Sequence, residues 1–310
     1  MKKEDVIGKY FPVLDNGYVS LIDSMGDDSS IVQAARVSYG KGTKTTSEDR
    51  GLIRYLVRQK HTTPLEMVEF KFNISMPIHA HRQFIRHRMS TTNEYSARYS
   101  VVPEVTYDDY NINVQSKNNK QGRADGELKN RVYFQNRVKQ CKKDAFELYN
   151  EMVDEGAARE IARMHLPLNT YTYFYWKIDL HNLLHFLRLR CDSHAQYEIR
   201  QFANTIAGLV KVICPLAFEA WEDYSFYASN WTRLDQELHD FLVMIKLDDP
   251  VRHYKDNEFI KEKAESIGMS KREVEEFFEK LERKQKVNFD LDLSTARDAA
   301  YYENLVKENH

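Results

Sequence analysis

The sequence predicts an α+β fold, a mixed sheet-and-helix domain followed by a helical C-terminal extension. Three observations carry this. Val68, Phe70, Phe72, Ile74 and Met76 alternate with Glu69, Lys71, Asn73 and Ser75, the period-2 pattern of a half-buried strand. Tyr171 to Trp176 is an aromatic run suited to a second strand. Around both, apolar residues recur at spacings of three and four, the signature of helices with one buried face.

In chain order, Ser30 and Gln33 read as a capping box before Ile31 to Val37, and Leu52, Ile53, Leu56 and Val57 predict the next helix. Thr63-Pro64-Leu65-Glu66 reads as another capping box, with proline at the first helical position where its missing N–H costs nothing. Pro77 opens a helix through Ala80, Phe84 and Ile85. Residues 111–127 are rich in Asn, Gln, Lys, Gly and Asp and predict a loop. Val138, Cys141, Ala145, Leu148 or Tyr149 and Met152 then define a long amphipathic helix with Gly156 as its C-cap. Leu180, Leu183, Leu184 and Leu187 mark one further helix, and Ile199, Phe202, Ile206 and Val210 another.

From about residue 228 the composition shifts. The last 60 residues hold 12 Lys+Arg and 14 Asp+Glu, so mixed signs favour helices with solvated faces over a basic arm for nucleic acid. A capping box at Ser270 and Glu273 and an apolar stripe of Leu234, Leu238, Phe241 and Ile245 agree with helices that pack on a surface. The expected division is therefore 1–227 for the main domain and 228–310 for a charged, helical C-terminal extension.

Composition narrows the function. Among 310 residues, 42% are hydrophobic and 30% charged, which is globular, and 11 glycines and 7 prolines exclude Pro/Gly-rich disorder. A net charge of −2 argues against a surface that seeks nucleic acid or acidic lipid throughout. No run of 18 apolar residues is present, so no membrane partner is expected. Lys2 and Lys3 resemble a signal-peptide start, but Glu4, Asp5, Lys9 and Asp15 interrupt any apolar segment after them. Three scattered cysteines give neither a disulfide framework nor a metal knuckle, and the expected compartment is cytoplasmic. Cys141 and Cys214 fit apolar helix faces and are expected in the core, and no nucleophile-plus-base motif accompanies Cys191. Only Gly40-Lys41-Gly42 approaches a glycine-rich phosphate loop, and it completes no such motif, so side chains must hold any phosphate.

The densest polar cluster runs from His79 to Arg98, with four arginines, three histidines and one acid in twenty residues. Arginine forks match phosphate and carboxylate oxygens, and hydroxyls and amides lie between them. A solvated basic face, a small-molecule phosphate site and a nucleic-acid contact are all open readings. The interleaved hydroxyls and Glu94 favour the small molecule over a polyanion. A second cluster holds Arg159, Arg163, His181, His185, Arg188, Arg190, Asp192 and His194. His181 and His185 have the four-residue spacing of a zinc pair, without an HExxH motif. Arg190, near the end of its helix, is read either as a cation suited to the macrodipole or as a functional group.

Arg86-His87-Arg88, seven residues and then Ser96 resembles the RHRx7S signature of the flavin-dependent thymidylate synthases (ThyX). Agreement extends to Ala34-Ala35-Arg36-Val37-Ser38, to His61-Thr62-Thr63-Pro64, and to Arg159-Glu160-Ile161-Ala162-Arg163 with Leu166-Pro167-Leu168-Asn169. It continues through Leu189-Arg190-Cys191-Asp192-Ser193-His194-Ala195-Gln196, so the resemblance covers roughly residues 15–222. It implies a ThyX-like mixed α/β subunit in a homotetramer, with FAD and substrate at subunit interfaces. The implied reaction methylates dUMP to dTMP with 5,10-methylenetetrahydrofolate as carbon donor and NADPH-reduced FAD as hydride source.

Carried over, the resemblance assigns FAD to Thr63, Arg86, His87, Arg88 and Glu94. It adds Asp179 and His185, at positions commonly Asn in the family. An acid at 179 accepts a hydrogen bond and repels a flavin phosphate, whereas His185 keeps a donor and is drawn to flavin, not to zinc. Gln83, Arg86, Glu94, Ser96, Arg98, Arg163 and Arg190 are assigned to dUMP. Arg190 is the implied catalytic residue, stabilising charge on the deprotonated uracil so that no covalent enzyme adduct is needed, and no metal is implied. A nucleic-acid or nucleotide-binding regulator using residues 79–98 is the rival class, distinguished by a steep loss of affinity with salt.

Overall fold

The structure, a computed structural model, describes residues 1–37, 46–108, 110–117, 122–245, 257–281 and 286–302. Ser38 and the Gly40-Lys41-Gly42 segment lie outside the described residues. The chain folds into two units, Met1–Trp221 with Phe289–His310, and Glu222–Asn288. The expected boundary at 227/228 placed everything beyond it in one tail, whereas the chain after residue 288 belongs with the larger unit.

The larger unit is built on a sheet of β1 (Tyr10–Val13), β2 (Gly17–Met25), β3 (Glu69–Pro77), β4 (Thr91–Glu94) and β7 (Tyr171–Asp179). Their order is β1-β2-β3-β7-β4, antiparallel at every pairing. β1 and β2 close so tightly at Gly17 that a Cβ there would meet Val13 O at 2.7 Å and Ser75 O at 2.8 Å. β3 is central, between β2 and β7, and from Phe72 to Pro77 both of its faces are buried, Asn73 and Ser75 included. The half-buried strand expected from alternation is thus covered on both faces from Phe72 to Pro77, while Lys71 stays exposed; Asn73 and Ser75 lie on the face they share with Ser20, Tyr18, Tyr175 and Tyr173 of the flanking strands. β5 (Asn113–Gln115) and β6 (Arg123–Glu127) pair as a separate hairpin where the sequence predicted a loop. Backbone pairing supplies there what the apolar content does not.

Helix α1 (Asp28–Arg36) is capped by Asp27, whose carboxylate accepts from Ser29 N–H at 2.9 Å while Ser30 Oγ faces the Asp27 amide at 3.4 Å. The box therefore closes one turn before the expected Ser30–Gln33 pair. Helix α2 (Thr46–Arg58) follows the expected apolar stripe, with Ile53 and Leu56 buried. Helix α3 (Thr63–Glu66) is a single turn whose cap position is Thr62, already helical in its backbone and making no side-chain cap bond. Thr63 is exposed inside that turn and does not cap it. Helix α4 (Ile78–Phe84) starts after Pro77 as predicted.

Helix α5 (Arg131–Asp154) ends at Gly156, φ +83°, where the Gly156 and Ala157 amides reach Val153 O and Met152 O at 3.0 and 2.8 Å, a Schellman closure. Its buried face is Phe146 and Tyr149, packed with Val102 and Ala162. Val138, Cys141 and Leu148 are exposed, so Cys141 is not a core residue. The short α6 (Arg159–Ala162) follows. Helix α7 (Leu180–Arg190) buries its predicted leucines, and α8 (Tyr197–Ile213) buries Ile199, Phe202, Ile206 and Val210. Asp28 binds the start of α9 (Pro215–Trp221), accepting from Leu216 N–H at 2.7 Å and Ala217 N–H at 3.0 Å, and burial pushes its carboxyl up to about 6.

After residue 288 the chain lies along α8, where a Cβ at Gly208 would meet Phe289 O at 2.7 Å. It then pairs with β1, Arg297 N–H to Tyr10 O at 2.7 Å and Tyr10 N–H to Arg297 O at 2.8 Å. The smaller unit has its own apolar core of Leu238, Leu242, Ile260, Ala264, Met269, Phe277 and Phe278. They come from α10 (Arg233–Met244), α11 (Glu258–Ser266), α12 (Lys271–Leu281) and the turn at Met269. Ser270 and Glu273 cap α12 as expected, their reciprocal bonds measuring 2.7 and 3.3 Å. No described helix is long and apolar enough to cross a membrane.

Candidate functional site

β3 and β7 run antiparallel from Glu69↔Asp179 to Pro77↔Tyr171, so the helices that follow them start at opposite ends of the sheet. Helix α4 leaves from Pro77, α7 leaves from Asp179 and turns back, and their far ends meet. An aromatic cluster fixes the meeting point. Phe84 lies 4.5 Å from Trp176 and 4.8 Å from Phe186 between ring centroids, and Trp176 lies 5.2 Å from Phe186. All three are buried almost completely. The His87 ring stands edge-on to Phe186 at 4.8 Å, and Ser90 Oγ donates to His87 O at 2.9 Å.

Onto this support comes Arg190, the last residue of α7. Its Nε donates to His87 Nε2 at 3.0 Å and its Nη2 to Gln83 O at 3.3 Å. Burial, with Arg190 and His185 close by, holds His87 down at about 4, so the ring is neutral and carries its proton on Nδ1. Burial also lowers Arg190 from its ordinary value, yet a guanidinium stays charged at neutral pH. The result is a fixed cation that has lost part of its water shell.

Arg86, His87, Arg88, Asn182, His185 and Arg190 share a cleft of about 550 Å³. Four of the seven residues assigned to FAD and the implied catalytic arginine are thus in one place. Asp179 is not on its wall: it caps α7, its two oxygens accepting from Asn182 N–H at 2.9 Å and Asn182 Nδ2 at 2.7 Å. Asn182 lines the cleft instead, a contact the sequence announced only as the third residue after a helix cap. His185 lines the cleft and His181, one turn earlier, does not.

The other assigned residues lie outside that cleft. Glu94, at the end of β4, accepts from Thr172 Oγ1 at 2.8 Å and lies 3.5 Å from Nδ1 of buried His81. Burial lowers the His81 pKa, against the pull of Glu94. Ser96 Oγ accepts from Arg98 N–H at 3.4 Å, and Arg98 pairs with Glu160 at 3.1 Å. Arg163 is exposed just beyond α6, and Thr63 is exposed on α3. None of these five lines the Arg190 cleft. Glu160 and Thr172 are neighbours that composition did not single out, and His81 is one of the three histidines of the basic cluster.

The thiols stand apart. Cys191 and Cys214 are buried, and burial pushes both thiols up, Cys214 as the core residue the sequence predicted. Among the described residues, no three His, Cys, Asp or Glu side chains are grouped to hold a metal. A cleft with two exposed arginines, a histidine, an asparagine and one sheltered cation can bind phosphate oxygens and stabilise a developing anion.

Comparison with known proteins agrees. The profile of the family described as Thy1, thymidylate synthase complementing protein, matches residues 20–216. A flavin-dependent thymidylate synthase of Rickettsia bellii is 45% identical over 289 residues, covering 88% of this chain and 94% of its own. That share exceeds what the larger unit alone supplies, so the match runs into residues 222–288, beyond the expected limit of the resemblance. The enzyme of that name from Thermus thermophilus is 51% identical over 213 residues, 69% of this chain and 78% of its own. A crystal structure of the UMP/dUMP methylase PolB from Streptomyces cacaoi, bound with 5-Br dUMP, superposes with a TM-score of 0.63 at 31% identity, covering 69% of this chain and 98% of that one.

Proposed function

The chain belongs to the Thy1 family of thymidylate synthase complementing proteins, and from that premise we propose that it is a flavin-dependent thymidylate synthase. It converts dUMP to dTMP, with 5,10-methylenetetrahydrofolate as carbon donor and NADPH as the source of reducing equivalents. The observation that carries this reading is Arg190, a half-buried guanidinium tied to His87 and to Gln83 O at the wall of an arginine-lined cleft.

Arg190 performs the electrostatic part. When the uracil ring proton passes to solvent, the delocalised negative charge raises electron density at carbon 5, and a fixed, poorly solvated cation stabilises that charge without reorganising. His87 and Gln83 O hold the guanidinium in place before substrate arrives. With Cys191 and Cys214 buried and their thiols raised, no thiolate is assigned a role, so the proposed route is non-covalent.

The donor set fits FAD: Arg86 and Arg88 for phosphate oxygens, with His87, His185 and Asn182 as polar contacts for the rest. Bound in reduced form, FAD supplies the hydride that completes the methyl group. Thr63, Glu94 and Asp179 complete the proposed FAD set, and Gln83, Arg86, Glu94, Ser96, Arg98, Arg163 and Arg190 hold the nucleotide. These residues do not share one cleft within a subunit, which supports completion of each site by a neighbouring copy in a homotetramer. Exposed Val132, Tyr133, Phe134 and Val138 on α5 agree with such an assembly.

Purified protein supplied with FAD, dUMP, methylenetetrahydrofolate and NADPH is expected to be yellow and to form dTMP. A protein that neither retains FAD nor produces dTMP overturns the proposal.

A further inference from the structure

A second polar cleft, of about 440 Å³, lies between the β5–β6 hairpin and the start of α8. A chain of hydrogen bonds leads from it to the catalytic arginine. Glu198 is 4% exposed, and its Oε1 accepts from Arg123 at 3.0 Å. Its Oε2 accepts from Gln196 Nε2 at 2.7 Å. Gln196 Oε1 in turn accepts from Gln83 Nε2, and Gln83 O accepts from Arg190.

The order of donors along this chain is not arbitrary. A carboxylate paired with Arg123 has acceptors only, so the glutamine beside it must present its NH2 group. The other end of that amide is then an oxygen, and Gln83 must meet it with NH2. One donor–acceptor assignment fixes the next, and the acceptor Oε1 is left as the atom that Gln83 offers to a ligand. Reversing Gln196 would set oxygen against the buried Glu198 carboxylate, the costly mismatch, and NH2 against NH2 at the exposed contact with Gln83.

We propose that Glu198 is a positioning residue for the nucleotide, setting the amide polarity of Gln196 and through it of Gln83, so that Gln83 presents an acceptor to a hydroxyl or ring N–H of the substrate. This rests on the assignment of Gln83 to dUMP. Glu198→Gln keeps the shape, but with its oxygen held by Arg123 it turns NH2 toward Gln196 and so reverses the relay. Gln196→Met cuts the relay and leaves the Glu198–Arg123 pair intact.

The test is calorimetric titration of dUMP into FAD-loaded wild type, Glu198→Gln, Gln196→Met and the double variant. Each single change is expected to weaken dUMP binding about tenfold, the loss of one oriented hydrogen bond. The double variant is expected to be no weaker than the single ones, with flavin content and melting temperature unchanged. Additive losses, binding within about twofold of wild type, or a parallel loss of flavin and stability would overturn the inference. If Glu198→Gln does not fold, Gln196→Met decides, because an unchanged dissociation constant there is also fatal. Wild type that holds FAD but not dUMP would instead overturn the functional reading, and the inference with it.

Discussion

Arg190 Nε and His87 Nε2 are 3.0 Å apart, a cation donating to a ring held neutral. The two residues come from opposite ends of the sheet, one after β7 and α7, the other after β3 and α4. Burial, and after it Arg190, disfavours a proton on His87, and the neutral ring can then accept from Arg190. The bond orients the guanidinium without neutralising it, which is what stabilisation of a developing anion requires.

Arg190→Ala is expected to reduce kcat at least about 100-fold, the scale of removing a preorganised charge-stabilising donor. Arg190→Lys recovers little, since an ammonium cannot keep the Nε bond to His87 while aiming a second donor. Replacing Cys141, Cys191 or Cys214 by Ser leaves the chemical mechanism intact. Single-turnover dTMP formation checks each variant; one stably folded but inactive cysteine variant would contradict the non-covalent route.

Titration by NMR is expected to place His87 near 4, with the proton on Nδ1, and Arg190→Ala should move it up toward its ordinary value. Its folded value lies below the unfolded value of 6.5, so its contribution to stability is present above 6.5 and is lost as pH falls through about 4. Asp28 acts in the opposite sense. Raised from 3.8 to about 6, it contributes below 3.8 and loses that contribution as pH rises through about 6. Between these limits the two contributions oppose one another, so melting temperatures should shift toward rising with pH in Asp28→Asn and toward falling with pH in His87→Asn.

Phe186→Ala should destabilise the larger unit by about 3–5 kcal/mol, because it empties a fully buried aromatic site beside Phe84 and Trp176. The same change removes the edge contact to His87, so flavin affinity should fall even where the protein is folded. Urea unfolding and flavin titration separate the two effects. Phe186→Leu, closer in volume, should cost less in both.

Much of this architecture was legible because it follows from periodicity. Val68 to Met76, Tyr171 to Trp176 and the leucines of α7 mark elements whose burial depends on local pattern. The basic cluster was legible as chemistry, since arginine forks advertise themselves by type. What failed depended on tertiary context. Ser75 and Asn73 look exposed by alternation but are buried beside Tyr18, Tyr173 and Tyr175 of the flanking strands, and Val138 and Cys141 look buried by spacing but sit on the open side of α5, whose buried stripe is Phe146 and Tyr149. Asn182, Glu160 and Glu198 join their sites through contacts between elements far apart in sequence, which no local pattern encodes.

Cutting the chain at residue 228 removes more than an extension, because Phe289 and Tyr302 go with it. Phe289 lies 5.5 Å from Phe218 and 6.1 Å from Trp221 between ring centroids, and Tyr302 lies 4.5 Å from Tyr18. Loss of Phe289 alone should cost about 3–5 kcal/mol. Joining Trp221 to Phe289 by a short Gly/Ser linker should preserve the melting temperature of the larger unit far better than truncation. Thermal denaturation of both proteins makes the comparison.

The pairing of Arg297 with Tyr10 has a further consequence during synthesis. Tyr10 waits for a partner encoded far downstream, so a nascent chain emerging from the ribosome carries an open sheet edge until Arg297 has been made. Throughout that interval the helical insertion can fold but the catalytic unit cannot close. A stop codon shortly before Arg297, far past every residue that lines the cleft, would therefore leave an aggregation-prone product instead of a functional enzyme.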